Sequence, residues 1–114
     1  MQALFFKYVI GHALGDFVLQ TEVMARAKSR HYAAAAERSR DFPRWYYWLA
    51  AHALVHGGIV FAVSGSALLG FIETLLHAGI DFAKCEHKIS FHQDQALHLA
   101  CKVAYCFLAP MLGA

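Results

Sequence analysis

The amino-acid sequence predicts an all-α protein, a four-span transmembrane helical bundle, and three observations support this prediction. Hydrophobic residues make up 59% of the 114 residues and charged residues only 16%, which is typical of polytopic membrane proteins. Four apolar segments of helical length alternate with polar or Ser-Gly connections. Each segment carries histidine or aspartate residues four positions apart, on one face of a helix. At this length we expect a single domain, residues 1–114.

The spans are predicted at about residues 2–24, 43–63, 67–84 and 94–112 because each is a long apolar run. The basic, alanine-rich stretch 25–42 between the first two spans predicts a short interfacial helix. The short uncharged turn at residues 64–66 favours antiparallel neighbours. The alternative fold is a soluble dimetal four-helix bundle, although such bundles use Glu-x-x-His steps and keep a polar outer face.

The basic residues predict the orientation of the bundle. Eight of the ten lysines and arginines lie in or beside the connections that follow the first and third segments. Because basic connections face the cytoplasm, we expect a multi-pass protein of the bacterial inner (cytoplasmic) membrane with these connections inside. A position beside membrane spans explains the basic cluster better than a nucleic-acid patch does. We therefore expect membrane lipid as a partner and no nucleic acid, and a bundle this thin is compatible with a homo-oligomer.

Polar residues from all four segments fall at matching depths when they are counted from the cytoplasmic side. A middle tier lies about six to nine residues in, roughly 9 to 14 Å at the helical rise. Its members are Asp16, His52, His77 and His98. His12 and His56 lie deeper, and Asp81 and Asp94 lie about one turn from the cytoplasmic mouth. Polar side chains at such depth mark a functional site by default.

Imidazole and carboxylate groups are the ligands of zinc and of other first-row divalent metals. The middle tier is therefore predicted to bind a divalent ion, zinc first, with His12 and His56 serving a second ion or orienting the ligands. The predicted metal-site residues are Asp16, His52, His77, His98, His12 and His56. Asp81 and Asp94 are the candidate catalytic residues, since either carboxylate could ligate the ion or act as general base for a metal-bound water.

The resulting hypothesis is a metal-dependent hydrolase that acts on a lipid-like amphiphile. Two other hypotheses use the same polar stripe without catalysis: a proton or metal-ion pathway, and a structural or phage–host membrane interaction factor in which the stripe only holds the bundle together. Glu73 and Lys102 also fall at matching depth. We interpret them as a buried ion pair between the third and fourth helices, and the alternative is that Lys102 meets an anionic substrate group.

Four stretches together resemble a known family, the bacterial and phage membrane proteins grouped as domain of unknown function 3307. They are residues 11–21 (GHALGDFVLQT), 52–57 (HALVHG), 76–82 (LHAGIDF) and 94–98 (DQALH). The resemblance covers all four apolar segments and omits residues 25–42. It implies a small integral membrane protein of bacterial or phage origin, and it implies no particular activity.

Overall fold

The computed structural model describes residues 1–32 and 42–113, and in these ranges the chain is all-α, as predicted. The helices are α1 (Gln2–Ala13), a π-helical segment (Leu14–Val18), α2 (Glu22–Ala27), α3 (Trp45–Ser64), α4 (Ala67–Cys85) and α5 (Phe91–Met111). Half of the predicted interfacial helix, residues 33–41, lies outside the described residues. Its first part is replaced by α2, which begins earlier, at Glu22.

The first predicted span is not one continuous helix. After Ala13 the hydrogen bonding changes from α to π, and the amide of Leu19 donates to the carbonyl of Leu14, 2.7 Å away. The helix ends there. Thr21 then begins α2 by accepting a hydrogen bond from the amide of Met24 at 3.1 Å, which satisfies one of the free donors of a helix start.

Helices α3 and α4 form a tight antiparallel hairpin, as the short turn predicts. Gly65 ends α3 in the left-handed conformation, with φ of 75°, which glycine adopts without steric cost. The hydroxyl of Ser66 then accepts from the amide of Leu69 at 3.2 Å and begins α4. Gly57 and Gly70 face each other across the hairpin, so closely that a methyl group on either would meet the other's carbonyl oxygen. The two backbones are therefore in direct contact.

The interior has an apolar end and a polar end. The apolar end is a cluster of buried side chains: Tyr8, Val60, Leu69, Tyr105, Cys106 and Ala109. The polar end contains buried ionisable groups: His12, Lys28, His52, His56, His77, Asp81, Asp94 and His98. A buried ion pair between Lys102 and Glu73 lies between them, which confirms the pair predicted from the sequence.

The predicted four-span transmembrane bundle is wrong. Among residues 1–32 and 42–113, only α3 is long and apolar enough to cross a membrane. Of the 18-residue apolar stretch of this helix, 39% is buried inside the protein. Helix α1 has only 12 residues. Helix α4 contains three charged residues, Glu73, Asp81 and Lys84, and α5 contains Asp94 and Lys102 among several polar side chains. The multi-pass topology is unsupported for the same reasons.

Candidate metal centre

Three elements bring one carboxylate and three imidazoles together. The π-helical segment supplies Asp16, α3 supplies His52 and His56 one turn apart, and α4 supplies His77. One potential ligand atom from each of these four residues lies within 4.8 Å of the other three. The histidines are each 1% exposed, and the Asp16 side chain is 10% exposed. We call this Asp16–His52–His56–His77 group the metal cluster.

The three imidazoles of the metal cluster converge on a single carboxylate oxygen. Oδ1 of Asp16 lies 2.8 Å from Nε2 of His56, 3.1 Å from Nε2 of His52 and 3.9 Å from Nε2 of His77. Around a tetrahedral ion with ligand bonds of 2.0–2.2 Å, neighbouring ligand atoms are about 3.3–3.6 Å apart. The separations from Asp16 bracket this range, and the four residues form a group that could hold a metal ion.

The local backbone explains why Asp16 reaches the imidazoles. A π-helical turn contains more residues than an α-helical turn, and such turns are frequent at functional sites. Here it carries Asp16 toward α3. Gly15 is also required, since a Cβ at that position would lie 2.5 Å from the ring of His56. The close neighbour of Gly15 is therefore an imidazole ring of α3.

Asp16 differs from the two buried carboxylates of Asp81 and Glu73 in having no lysine or arginine beside it among the described residues. Asp81 is 2.7 Å from the ammonium of Lys28 and 3.3 Å from that of Lys84, and Glu73 is paired with Lys102. In the part of the chain that the structure describes, no lysine or arginine lies within 4.0 Å of Asp16. Buried charges are normally paired or bound to metals. The missing counter-charge is what a divalent ion would supply.

The protonation states suit metal binding, which requires neutral imidazoles and an ionised carboxylate. Burial lowers the pKa of His77 to about 3, so its imidazole is neutral at pH 7. Burial raises the pKa of Asp16, but hydrogen bonds to His52 and His56 outweigh it and the net pKa is lowered. Within the described residues neither ring nitrogen of His77 has a hydrogen-bond partner, which leaves Nε2 free to ligate.

The structure places the other two predicted metal-site residues next to the metal cluster. The ring of His98 stacks on that of His77, with centroids 4.1 Å apart. Nε2 of His12 lies 3.3 Å from the second oxygen of Asp16. His56 was predicted to lie deeper than the middle tier, but it contacts Asp16 directly. His98 was predicted to bind the same ion as Asp16, but it lies outside the metal cluster, on the far side of the His77 ring from His56.

The two candidate catalytic carboxylates lie on either side of this group. Oδ2 of Asp81 is 3.7 Å from Nε2 of His52, and Oδ1 of Asp94 is 3.3 Å from Nε2 of His98. Burial raises the pKa of Asp81, but the ammonium groups of Lys28 and Lys84 lower it by more, so it is ionised at pH 7. Their catalytic role stays a prediction.

Two residues of the site were missed from the sequence. The side-chain nitrogen of Gln95 donates to Oδ2 of Asp16 at 3.1 Å and to Oδ2 of Asp94 at 3.0 Å, and its oxygen lies 3.0 Å from Nε2 of His12. Lys28 is only 3% exposed. Gln95 lies between Asp94 and His98 in the sequence and could have been suspected. Lys28 lies in a basic stretch in which nothing distinguishes it from solvated neighbours.

The polar residues extend from the metal cluster toward the apolar end through Glu73. Its carboxylate lies 3.8 Å from Nδ1 of His77, and it accepts from the hydroxyl of Tyr105 at 2.9 Å. Burial raises the pKa of Glu73, but the nearby His77 ring and the Lys102 ammonium outweigh it and lower the pKa to about 2. Glu73 thus lies beside one imidazole of the metal cluster and is itself held by Lys102 and Tyr105 of α5.

Fold and site together define a class: an all-α protein with a buried aspartate–histidine cluster that could hold a metal ion. The chain belongs to the family described as "Protein of unknown function (DUF3307)", whose sequence model matches residues 4–112. The resemblance found in the four sequence stretches is therefore confirmed. No curated protein and no solved structure matches the chain significantly.

Proposed function

We propose that this protein is a metal-dependent hydrolase whose ion, zinc in the first instance, is held by Asp16, His52, His56 and His77. One observation carries the proposal: the Asp16 carboxylate, 10% exposed, is surrounded by imidazoles and an amide, with no lysine or arginine within 4.0 Å among the described residues. Three nitrogens and one carboxylate oxygen suit zinc better than magnesium or calcium, which prefer oxygen ligands.

The proposed chemistry is hydrolysis by a metal-activated water. A bound zinc ion lowers the pKa of water to about 7 and polarises the bond to be cleaved. Catalytic zinc sites keep a position for water beside three protein ligands and sometimes expand to five ligands, so a water would either replace one of the four side chains of the metal cluster or join them as a fifth ligand. Asp81 is the proposed general base, because its ionised carboxylate lies 3.7 Å from Nε2 of His52, a residue of the metal cluster.

The proposed substrate is a lipid-like amphiphile, and the proposed location is the bacterial cytoplasmic membrane. Many large apolar side chains are exposed, for example Phe17 at 65% and Phe71 at 61%. An open apolar groove of about 440 Å³ is lined by Phe5, Val103 and Phe107 among others. Val103 is five residues from His98 on α5, about 8 Å along the helix. A hydrocarbon chain in this groove would have its polar group within reach of the polar end.

Metal analysis tests the proposal directly. Protein purified without chelator is expected to carry zinc. Loss of a residue that only hydrogen-bonds to a ligand typically weakens metal binding about 10- to 100-fold. His52→Ala and His77→Ala remove ligands themselves, so each should weaken zinc binding by more than that. His92→Ala is the matched control, because His92 is exposed on α5. Wild-type protein that is folded by circular dichroism yet neither carries nor takes up zinc would refute the metal site.

The hydrolase assignment has its own test. Phospholipid and carboxylic-ester substrates in mixed micelles should be cleaved by the zinc-loaded protein. The activity should be lost on chelation and regained with zinc, and Asp81→Asn should lower kcat while leaving zinc content unchanged. If the protein binds metal but cleaves no ester, amide or phosphoester, it is a metalloprotein and the hydrolase assignment is wrong.

A second candidate function, a proton or metal-ion pathway, is favoured by one observation. The rings of His56, His77 and His98 form a stacked column with successive centroids 3.7 and 4.1 Å apart. Such a column joins the three helices α3, α4 and α5. This candidate predicts ion flux in liposomes containing the protein, abolished by His77→Gln, and no hydrolytic turnover.

A further inference from the structure

We infer that a second divalent cation binds between Asp94, His98 and His12 and shares Asp16 with the first ion, so that the centre is binuclear. The inference rests on the proposed function, since it extends the same site. It assigns to Asp16 a bridging role, with one oxygen on each ion. Two-metal hydrolytic centres of this kind hold their ions about 3.5–4 Å apart.

The first argument is the way in which His98 and Asp94 face each other. They are four residues apart on α5, both are 1% exposed, and Nε2 of His98 lies 3.3 Å from Oδ1 of Asp94. Oδ1 of Asp94 nevertheless has no hydrogen-bond partner among the described residues. Two ligand atoms at this separation without a hydrogen bond have the spacing of neighbours around one ion, about 3.3 Å.

The second argument is that Asp16 presents its two oxygens to different sets of residues. Oδ1 faces the imidazoles of the metal cluster, whereas Oδ2 lies 3.3 Å from Nε2 of His12 and 3.1 Å from the side-chain nitrogen of Gln95. The rings of His12 and His98 have centroids 5.3 Å apart. One oxygen of Asp16, His12 and His98 therefore approach a common space beside the first ion.

The third argument is charge. Asp94, like Asp16, has no lysine or arginine within 4.0 Å in the described parts of the chain, and the nearby ammonium of Lys84 is paired with Asp81. The side-chain nitrogen of Gln95 lies between the two carboxylates, 3.1 Å from one and 3.0 Å from the other. This amide occupies the place where a cation is most strongly attracted. Rotation of the Gln95 side chain would admit the ion and offer it an amide oxygen.

Metal stoichiometry separates this inference from the proposed function. Wild-type protein is expected to bind about two ions per chain, and His98→Gln or Asp94→Asn about one, the ion of the metal cluster. His92→Gln, on the exposed side of the same helix, should change nothing. A wild type that binds none refutes both proposals. A wild type that binds one ion, with His98→Gln unchanged, refutes the second site alone and leaves Gln95 as a clamp for Asp16.

The shared carboxylate is tested by replacing zinc with Mn²⁺ and recording electron paramagnetic resonance. Two ions joined by Asp16 should give the broadened spectrum of a spin-coupled pair. His98→Gln should restore the resolved hyperfine pattern of an isolated ion, and circular dichroism checks that each variant folds. An isolated-ion spectrum from wild-type protein loaded at both sites would overturn the bridging role of Asp16.

Discussion

The two ends of the bundle are built from the same helices but hold them together in opposite ways. At the apolar end, α3 and α4 contribute Val60 and Leu69, which are 1% and 0% exposed. At the polar end, the same two helices contribute His52 and His77, which are equally buried. Apolar burial stabilises the fold by about 25 cal/mol per Å². Burial of ionisable groups instead costs free energy unless each charge is compensated.

This difference suggests that the two ends contribute differently, one to stability and the other to ion binding. We expect the apolar end to supply most of the stability, and the Glu73–Lys102 pair lies between it and the groups that are costly to bury. We attribute the histidines of the polar end to the proposed ion binding, because neither Asp16 nor Asp94 has a lysine or arginine within 4.0 Å among the described residues. Perturbing each end separately, and then the boundary between them, tests this difference.

Acid is expected to have the largest effect, because it acts on the whole polar end. The pKa of His77 falls from 6.5 in the unfolded chain to about 3 in the folded protein, so the unfolded state binds the proton first. Stability from this residue is complete above pH 6.5 and is lost as the pH falls toward 3. The titratable groups that face His77 are Asp16, His56, Glu73 and His98.

Denaturant unfolding of chelated protein at pH 7 and pH 5 measures this effect. The free energy of unfolding should be lower at pH 5, and His77→Gln should flatten the dependence. Equal stability at the two pH values would contradict a neutral, buried His77.

The next largest effect is expected from Lys102→Ala, at the boundary between the two ends. It would leave the fully buried Glu73 carboxylate without its cation. Breaking one side of a buried ion pair costs about 3–5 kcal/mol. The double change Glu73→Gln with Lys102→Met should recover part of the loss in thermal unfolding. No recovery would mean that the lysine acts through packing alone.

Leu69→Ala tests the apolar end by itself. Leu69 is 0% exposed, and such truncations cost about 2–5 kcal/mol. Because the metal cluster is built from other residues, zinc content per folded chain should stay at the wild-type level. A loss of zinc that parallels the loss of stability would show that the two ends are not independent.

Gly15→Ala should have the smallest effect on stability and a clear effect on metal. The added methyl group would lie 2.5 Å from the His56 ring, and such overpacking costs about 1–3 kcal/mol. The ring must move away from Asp16, so zinc affinity should fall. Gly79→Ala is the control, since a Cβ there meets nothing within 4 Å. Unchanged affinity in Gly15→Ala would exclude His56 as a ligand.

Some of the fold was predictable from the sequence. The hairpin α3–α4 agrees with its predicted bounds to within two residues, because its apolar runs are bounded by Pro43 and by the Ser64–Ser66 turn. The convergence of His52 and His77 with Asp16 could also be predicted, because residues at the same depth in neighbouring antiparallel helices lie close together. The number of helices able to span a membrane was predicted wrongly from the sequence. Acidic and basic residues in α4 and α5 were assigned to an intramembrane site, although the same residues lower the hydropathy of those helices.

Other features depend on tertiary contacts that leave little trace in the sequence. His12 and Asp16 are four residues apart, which an α-helix explains as well as the π turn does. The buried position of Lys28 depends on its pairing with Asp81 in another helix. Gln95 contacts Asp16 from a distance of 79 residues along the chain.

The π-helical segment has a consequence for chain length. Leu14–Val18 holds a surplus residue relative to regular α-helical winding. Deleting Leu14 would remove this surplus residue and place Asp16 three rather than four positions after His12 in regular α-helical winding. The approach of Nε2 of His12 to Oδ2 of Asp16, 3.3 Å, depends on the present spacing. This stretch should therefore tolerate substitution at exposed positions such as Phe17 better than insertion or deletion, and the number of residues in the first helix matters to the proposed ion site.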